Sequence, residues 1–318
     1  MAIATIAIHG GAGAIARASM DADKELLYRQ ALLQIVASGQ ALLAAGGSAL
    51  DVVTEAVRQL EECPLFNAGI GSVFTHDGTH ELDACVMDGR TREAGAVAGL
   101  SRVRNPVLAA RAVLENSPHV LFIGSGAESF AAENGLEMVE NSFFSTPERR
   151  AQLEHAISTQ QMLLDHDGTS PGEPLDPNRK FGTVGAVALD MAGHLAAATS
   201  TGGMTNKQVG RVGDSPIPGA GCYASNSVAV SCTGTGEVFM RTLAAYDVAA
   251  MMDYSGLTLQ QASDKVIHEN IPALGGSGGL IAVDAAGNVV LPFNSEGMYR
   301  GYGVAGELPV VAIYREEH

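Results

Sequence analysis

The chain has 318 residues, 46% hydrophobic and 17% charged, with a formal net charge of −16. That length holds material for one large domain or two ordinary ones, and the negative balance argues against nucleic acid or an anionic membrane as a partner. Four cysteines, Cys63, Cys85, Cys222 and Cys232, lie far apart with no C-x-x-C pair, a spacing that suits free thiols better than a disulfide or zinc framework.

In chain order, Ala2 to Ile8 reads as a short buried strand running into the glycine turn His9 to Gly13. It lacks the basic flank of a signal peptide, and no apolar run approaches the roughly 18 residues of a membrane span. A soluble cytoplasmic protein is expected. Two helices follow, about Asp21 to Ala45 and Ala49 to Cys63, the second opened by Ser48 with Asp51 three residues on. From Gly71 to Gly99 the pattern turns to strands, with hairpin signals at Asp77-Gly78 and Asp88-Gly89. Asn105-Pro106 opens a helix to Asn116, His119 to Ile123 reads as a strand, and Pro147 opens a helix reaching about Leu164. Past mid-chain, Thr183 to Leu189 and His194 to Thr199 form a hairpin around Asp190 to Gly193. Ser227 to Cys232 is a further strand. Helices are expected over Gly236 to Asp253 and Leu259 to Asn270, then a hairpin of Gly279 to Asp284 and Asn288 to Leu291. Strands grouped into sheets with helices outside suggest a layered α/β sandwich.

Asp165 to Lys180 reads DHDGTSPGEPLDPNRK, with three prolines, two glycines and a single aliphatic residue. Such a segment cannot bury enough apolar surface to order itself. It leads, through Phe181 and Gly182, into the β-forming run that begins at Thr183. A flexible tether ending at Gly-Thr suggests a chain that cuts itself, because cleavage there gives Thr183 a free amine beside its own hydroxyl. That pairing activates an otherwise weak nucleophile. A Gly-Thr pair at a strand start is by itself usually structural. Its weight comes from three other clusters in the same half: Thr199 to Gly203, Gly210 to Ser215 and Ser231 to Glu237.

With these clusters the chain is identified as resembling the plant-type (type III) asparaginases, or isoaspartyl aminopeptidases, of the N-terminal nucleophile hydrolase superfamily, and above all their bacterial members. The resemblance runs through IHGGAG at Ile8 to Gly13, LEECPLFNAGIG at Leu60 to Gly71 and HELDACVMDG at His80 to Gly89. It continues through GTVGAVALD, AAATSTGGMTNK, GRVGDSP, CTGTGE and ALGGSGGLIA. It implies a four-layer αββα sandwich formed jointly by two processed halves, 1–182 and 183–318, with a linker at about 165–180. It also implies that Thr183 is the nucleophile, freed by an N-to-O acyl shift at Gly182-Thr183, and that Thr201 hydrogen-bonds it. Thr233 and Gly234 would stabilise the oxyanion. Arg211 and Asp214 would hold the substrate α-carboxylate and α-ammonium, helped by the Gly236 carbonyl, with Asn67 lining the site from the first half. An arginine fork and a nearby carboxylate suit those two groups. The implied substrates are asparagine and isoaspartyl dipeptides, and the implied assembly is a dimer of processed αβ units. No organic cofactor is expected. A structural sodium ion is, on the backbone carbonyls of Leu60, Glu61, Cys63, Phe66, Ala68 and Ile70, oxygen donors that suit a hard cation.

Other readings rank lower. Gly275 to Gly279 satisfies G-x-S-x-G around Ser277, and His9-Gly10-Gly11 echoes an esterase oxyanion loop. A nucleophile elbow must join a strand to a helix, however, and Ser277 is followed by an expected strand. His76, His80 and Glu81 are better read as solvated turn residues than as metal ligands. A non-enzymatic protein using its glycine loops to bind anions would leave a disordered tether placed directly before Gly-Thr unexplained.

Overall fold

Every position of strand β1, Thr5–Gly13, is buried, as a strand covered on both faces requires. It pairs antiparallel with β5 (Val184–Leu189) on one side and β11 (Gly297–Val304) on the other. Residues on both sides of Gly182 therefore share one sheet. The computed structural model describes residues 3–13, 15, 20–165 and 182–315. Apart from Asp165, the expected tether lies outside them.

The first helices are α1 (Ala22–Ala44) and α2 (Ala49–Glu61). Ser48 Oγ caps α2 by accepting from Asp51 N at 3.2 Å, and donates to the Asp51 carboxylate at 2.6 Å. The expected box thus closes side chain to side chain. The Asp190 carboxylate adds an acceptor for Ala49 N at 3.0 Å, a negative charge at the positive helix end. α2 buries Val52, Val53, Val57 and Leu60 against β5 and β6 (Leu195–Thr201). Each fully buried aliphatic side chain of this kind contributes on the order of 1.5–3 kcal/mol.

β2 (Leu82–Asp88) and β3 (Ala94–Leu100) form the hairpin expected at Asp88-Gly89. The turn at Asp77-Gly78 joins no strands: Thr75 only makes an isolated bridge to Lys207. α3 (Pro106–Asn116), β4 (Leu121–Ile123), α4 (Gly124–Glu133) and α5 (Pro147–Asp165) complete the first half. The second half adds β7 (Cys222–Ala224), β8 (Val228–Gly234), α6 (Gly236–Thr242), α7 (Ala244–Ser255) and α8 (Leu259–Lys265). The single helix expected over 236–253 is broken at Leu243, which takes the left-handed conformation at φ 49°. α8 runs on through a π-helical turn, Val266–Asn270. β9 (Gly278–Asp284), β10 (Val289–Val290) and β12 (Val310–Tyr314) finish the chain.

The strand orders are β12-β11-β1-β5-β6-β2-β3-β4 in an eight-stranded sheet and β10-β9-β8-β7 in a four-stranded one. One core lies between the larger sheet and α1 to α3. The other fills the space between the sheets and beneath α7 and α8. The result is the αββα sandwich. Among the described residues no helix is long and apolar enough to cross a membrane, and all four cysteines are free.

Candidate active site

Thr183 enters β5 where three chain segments converge. On one side β6 ends at Thr201, in the ladder next to β5. On another, the Asn67 loop leaves α2. On the third, β1 shifts register against β11 between His9 and Gly11, a bulge that turns the strand toward Thr183. A Cβ on Gly11 would lie 2.9 Å from Gly182 Cα and 3.3 Å from Thr183 N. Gly11 also sits at φ +110°, so a side chain is excluded there both by space and by conformation.

The Gly182 carbonyl is gripped by two donors, Asn67 Nδ2 at 2.6 Å and Thr201 Oγ1 at 3.1 Å. Thr183 Oγ1 donates to Thr201 Oγ1 at 3.2 Å, and Gly203 N donates to the same oxygen at 2.9 Å. A hydroxyl has one proton and two lone pairs, so Thr201 is saturated: its proton goes to Gly182 and both lone pairs accept. Both Asn67 N–H donors are used, the second on Gly203 O at 2.7 Å, and its Oδ1 accepts from Val73 N at 2.8 Å. The arrangement withdraws electrons from a carbonyl whose neighbouring hydroxyl is held by an acceptor, which is the requirement for nucleophilic attack on that carbonyl.

Thr233 is buried near the end of β8 and its Oγ1 accepts from Ala12 N at 3.2 Å. Its own proton has no acceptor among the described residues, so it can donate. Gly11 and Ala12 thus link the Gly182-Thr183 bond to Thr233. Gly234 and Gly236 follow, and a Cβ on Gly236 would meet Arg211 Nη2 at 2.8 Å and Asp214 Oδ1 at 3.0 Å. Glycine there leaves room for a guanidinium and a carboxylate over one patch of backbone. The two do not pair with each other. Arg211 bonds Glu237, Nε to Oε1 at 2.9 Å and Nη2 to Oε1 at 2.8 Å. Asp214 is only 3% exposed, and its Oδ2 has no hydrogen-bond partner among the described residues. Burial pushes its carboxyl up to about 7. An orphaned buried carboxylate is costly until a cation reaches it.

Several residues inside the quoted motifs make contacts that the motifs do not signal. His9 is fully buried, its Nε2 2.9 Å from Ser231 Oγ, which lies 2.7 Å from Thr199 Oγ1. Burial lowers its pKa to about 3, with the Thr183 backbone acting the other way. A neutral imidazole therefore packs behind the threonine and orients the strands. The Glu61 carboxyl joins α2, α3 and β6, accepting from Ser200 Oγ at 2.6 Å and Val107 N at 2.9 Å. Burial pushes it up to about 8.

His80 corrects the expectation of a solvated turn residue. It is 1% exposed, sits against Phe74 and Phe144, and both ring nitrogens have partners: Ser72 and Val73 at Nδ1, Ser145 at Nε2. His76 is exposed, and Glu81 accepts from Gly210 N. No cluster of three acidic, cysteine or histidine side chains able to hold a metal occurs among the described residues.

The loop after α2 fits a carbonyl-bound cation. It curls through positive φ at Gly69 and Gly71. The Leu60, Glu61 and Cys63 carbonyls accept N–H bonds from Cys63, Ile70 and Phe66. Those of Phe66, Ala68 and Ile70 take none among the described residues, although Phe66 and Ala68 are buried. Carbonyls without N–H partners are the donors a hard monovalent ion uses. Ser277 lies outside this constellation: its backbone exchanges hydrogen bonds with Thr235, and the strand β9 follows it, so no nucleophile elbow forms.

The sequence profile described as asparaginase matches residues 2–313. The chain belongs to this family. Among asparaginase-family relatives, an isoaspartyl peptidase of Salmonella typhimurium is 68% identical over 314 residues, covering 98% of this chain and 99% of the relative. One from Escherichia coli is 66% identical over 318 residues, 100% of this chain and 98% of its own length. An isoaspartyl peptidase/L-asparaginase of Mus musculus is 40% identical over 294 residues, 92% of this chain and 86% of the relative. The family is of the N-terminal nucleophile hydrolase type, and the αββα sandwich is consistent with it.

Proposed function

We propose that this chain is a self-processing threonine hydrolase acting on the β-carbonyl linkage of asparagine and of isoaspartyl dipeptides. The observation that carries the reading is the Gly182 carbonyl held by Asn67 and Thr201, with the Thr183 hydroxyl bonded to the same Thr201 oxygen. The relatives' names supply the substrate class.

In maturation, Thr183 Oγ1 attacks the Gly182 carbonyl carbon. Asn67 and Thr201 stabilise the oxyanion, the C–N bond breaks as the Thr183 nitrogen takes up the hydroxyl proton, and the acyl group passes from nitrogen to oxygen. Water then hydrolyses the ester, leaving a Gly182 carboxylate and a Thr183 amine. That amine, with a reference pKa of about 7.7–8.0, accepts the hydroxyl proton in each later cycle. Arg211 binds the substrate α-carboxylate, and Asp214 with the Gly236 carbonyl binds its α-ammonium. Thr183 Oγ1 attacks the β-carbonyl while Thr233 Oγ1–H and Gly234 N–H stabilise the oxyanion. The Thr183 ammonium returns its proton to the departing nitrogen, releasing ammonia or an amino acid. Water cleaves the aspartyl ester.

The carbonyls of Leu60, Glu61, Cys63, Phe66, Ala68 and Ile70 would hold a sodium ion, which would fix the loop carrying Asn67 without entering the bond making. Free thiols support a reducing compartment such as the cytoplasm. By family resemblance the processed αβ units pair as a dimer, which gel filtration checks. The experiment for the central reading is Thr183→Ala: it removes the attacking oxygen from both reactions, and both must stop. A variant that still matured and hydrolysed asparagine would overturn the reading.

A further inference from the structure

The cleft bordering Gly182 contains a cation that the reaction above leaves unused. Arg149, in the first turn of α5, lines this cleft together with Gly10, Phe66, Asn67 and Gly182. Its Nε donates to Gly71 O at 2.6 Å and its Nη1 to Gln152 Oε1 at 3.0 Å. Both acceptors are neutral. Among the described residues Nη2 has no partner, and no carboxylate lies within ion-pair distance of the guanidinium. The other cation at the cleft, Lys24, is already held by Glu148 at 3.6 Å. Arg149 is half-buried, and burial pulls its pKa below the usual arginine value, opposed by Tyr28, Glu148 and Tyr299 nearby.

The chemistry of acyl transfer decides which part of a substrate reaches this cleft. The Thr183 amine must pass its proton to the departing nitrogen, so the departing group lies on the amine side of Thr183. In the uncleaved chain Gly182 occupies that side, and Gly182 lines the cleft. From asparagine the departing group is ammonia, which carries nothing further. From an isoaspartyl dipeptide it is an amino acid whose carboxylate is one carbon removed from the departing nitrogen.

We propose that Arg149 is a specificity-determining residue that receives the C-terminal carboxylate of isoaspartyl dipeptides through Nη2, and so favours dipeptides over asparagine. This rests on the threonine-hydrolase reading. Arg149 does not touch the reacting atoms; it holds the departing half while Thr183 does the chemistry.

The test compares kcat/KM of the mature wild-type enzyme on asparagine, isoaspartyl-leucine and isoaspartyl-leucinamide. The leucinamide keeps the scissile bond and the side chain but removes the carboxylate. A charged hydrogen bond lost on amidation should lower kcat/KM roughly ten- to hundredfold. Arg149→Gln, with its mature fraction measured by mass spectrometry, should lower the preference for isoaspartyl-leucine over asparagine by a similar factor and abolish the gap between acid and amide. Equal rates for acid and amide in the wild type would overturn the proposal. So would an acid-to-amide gap that persists in Arg149→Gln. If that variant fails to mature, Arg149→Met, uncharged and of similar length, takes its place with the same two outcomes. Failure of the underlying reading looks different: no uncleaved-to-cleaved conversion at Gly182-Thr183 and no turnover of any of the three substrates.

Discussion

Asn67→Asp probes the maturation step with little change in shape. Asparagine at this position donates to Gly182 O at 2.6 Å and to Gly203 O at 2.7 Å, and accepts from Val73 N at 2.8 Å. Aspartate preserves the acceptor and the packing, but turns both donor contacts into an oxygen facing an oxygen. Losing one oxyanion donor typically costs about 10²–10³ in rate, or about 2.7–4 kcal/mol of transition-state stabilisation. The new repulsion adds to that, because the charge developing on Gly182 O would face a carboxylate. Self-cleavage should therefore slow by at least about 10²-fold. The assay follows the uncleaved chain on denaturing gels from the moment of purification, with thermal unfolding as the control for fold. Maturation at the wild-type rate in a folded Asn67→Asp protein would refute the role given to this donor pair.

The Asp214 carboxyl, raised to about 7 by burial, must ionise to pair with the substrate ammonium. Calorimetry should show aspartate binding the mature protein more tightly as pH rises from 5.5 to 7, by up to about tenfold per unit, and Asp214→Asn should be weak and flat; a flat wild-type profile would contradict the assignment. For Glu61, the folded pKa of about 8 stands above its ordinary value of 4.5, so the native state holds an extra proton between those values. Its contribution to stability is full below about pH 4.5 and is lost as pH rises through about 8, with a slope of up to about 1.4 kcal/mol per unit. Glu61→Gln should flatten the decline of the denaturation midpoint between pH 5 and 8, and parallel curves for variant and wild type would show that this proton is not bound.

The residues around the Gly182-Thr183 bond were legible because each sits in a short polar run with glycines: Asn67 in PLFNAG and Thr201 in TSTGG at the bond itself, and Thr233 in CTGTG behind Ala12. What escaped was set by tertiary contact. His9, Ser231 and Thr199 share hydrogen bonds although His9 lies 222 positions from Ser231, and no local pattern encodes such a contact. β11 carries Gly297, Gly301 and Gly303, which lower strand propensity. Yet a Cβ at Gly301 would meet Val311 at 2.9 Å, and one at Gly303 would meet Gln40 at 2.4 Å. The close packing that demands glycine is what disguises the strand. α4 begins with Gly-Ser-Gly and reads as loop. The break at Leu243 has no glycine or proline to announce it: this half-exposed leucine takes the left-handed region where Ala245 N and Tyr246 N bond Ala220 O and Gly219 O across the fold. Arg211 and Asp214 were expected to act together, and they do converge over Gly236, but the local partner of Arg211 is Glu237.

The central claim is that the Gly182-Thr183 bond is cut by Thr183 itself and that the cut creates the catalytic amine. Intact-mass spectrometry of purified wild-type protein, incubated without any protease and sampled alongside asparagine hydrolysis, tests it most directly. The account predicts that the full-length mass gives way to two fragments, one ending at Gly182 and one beginning at Thr183, with activity rising in step. A full-length species that persists while showing full activity would contradict it.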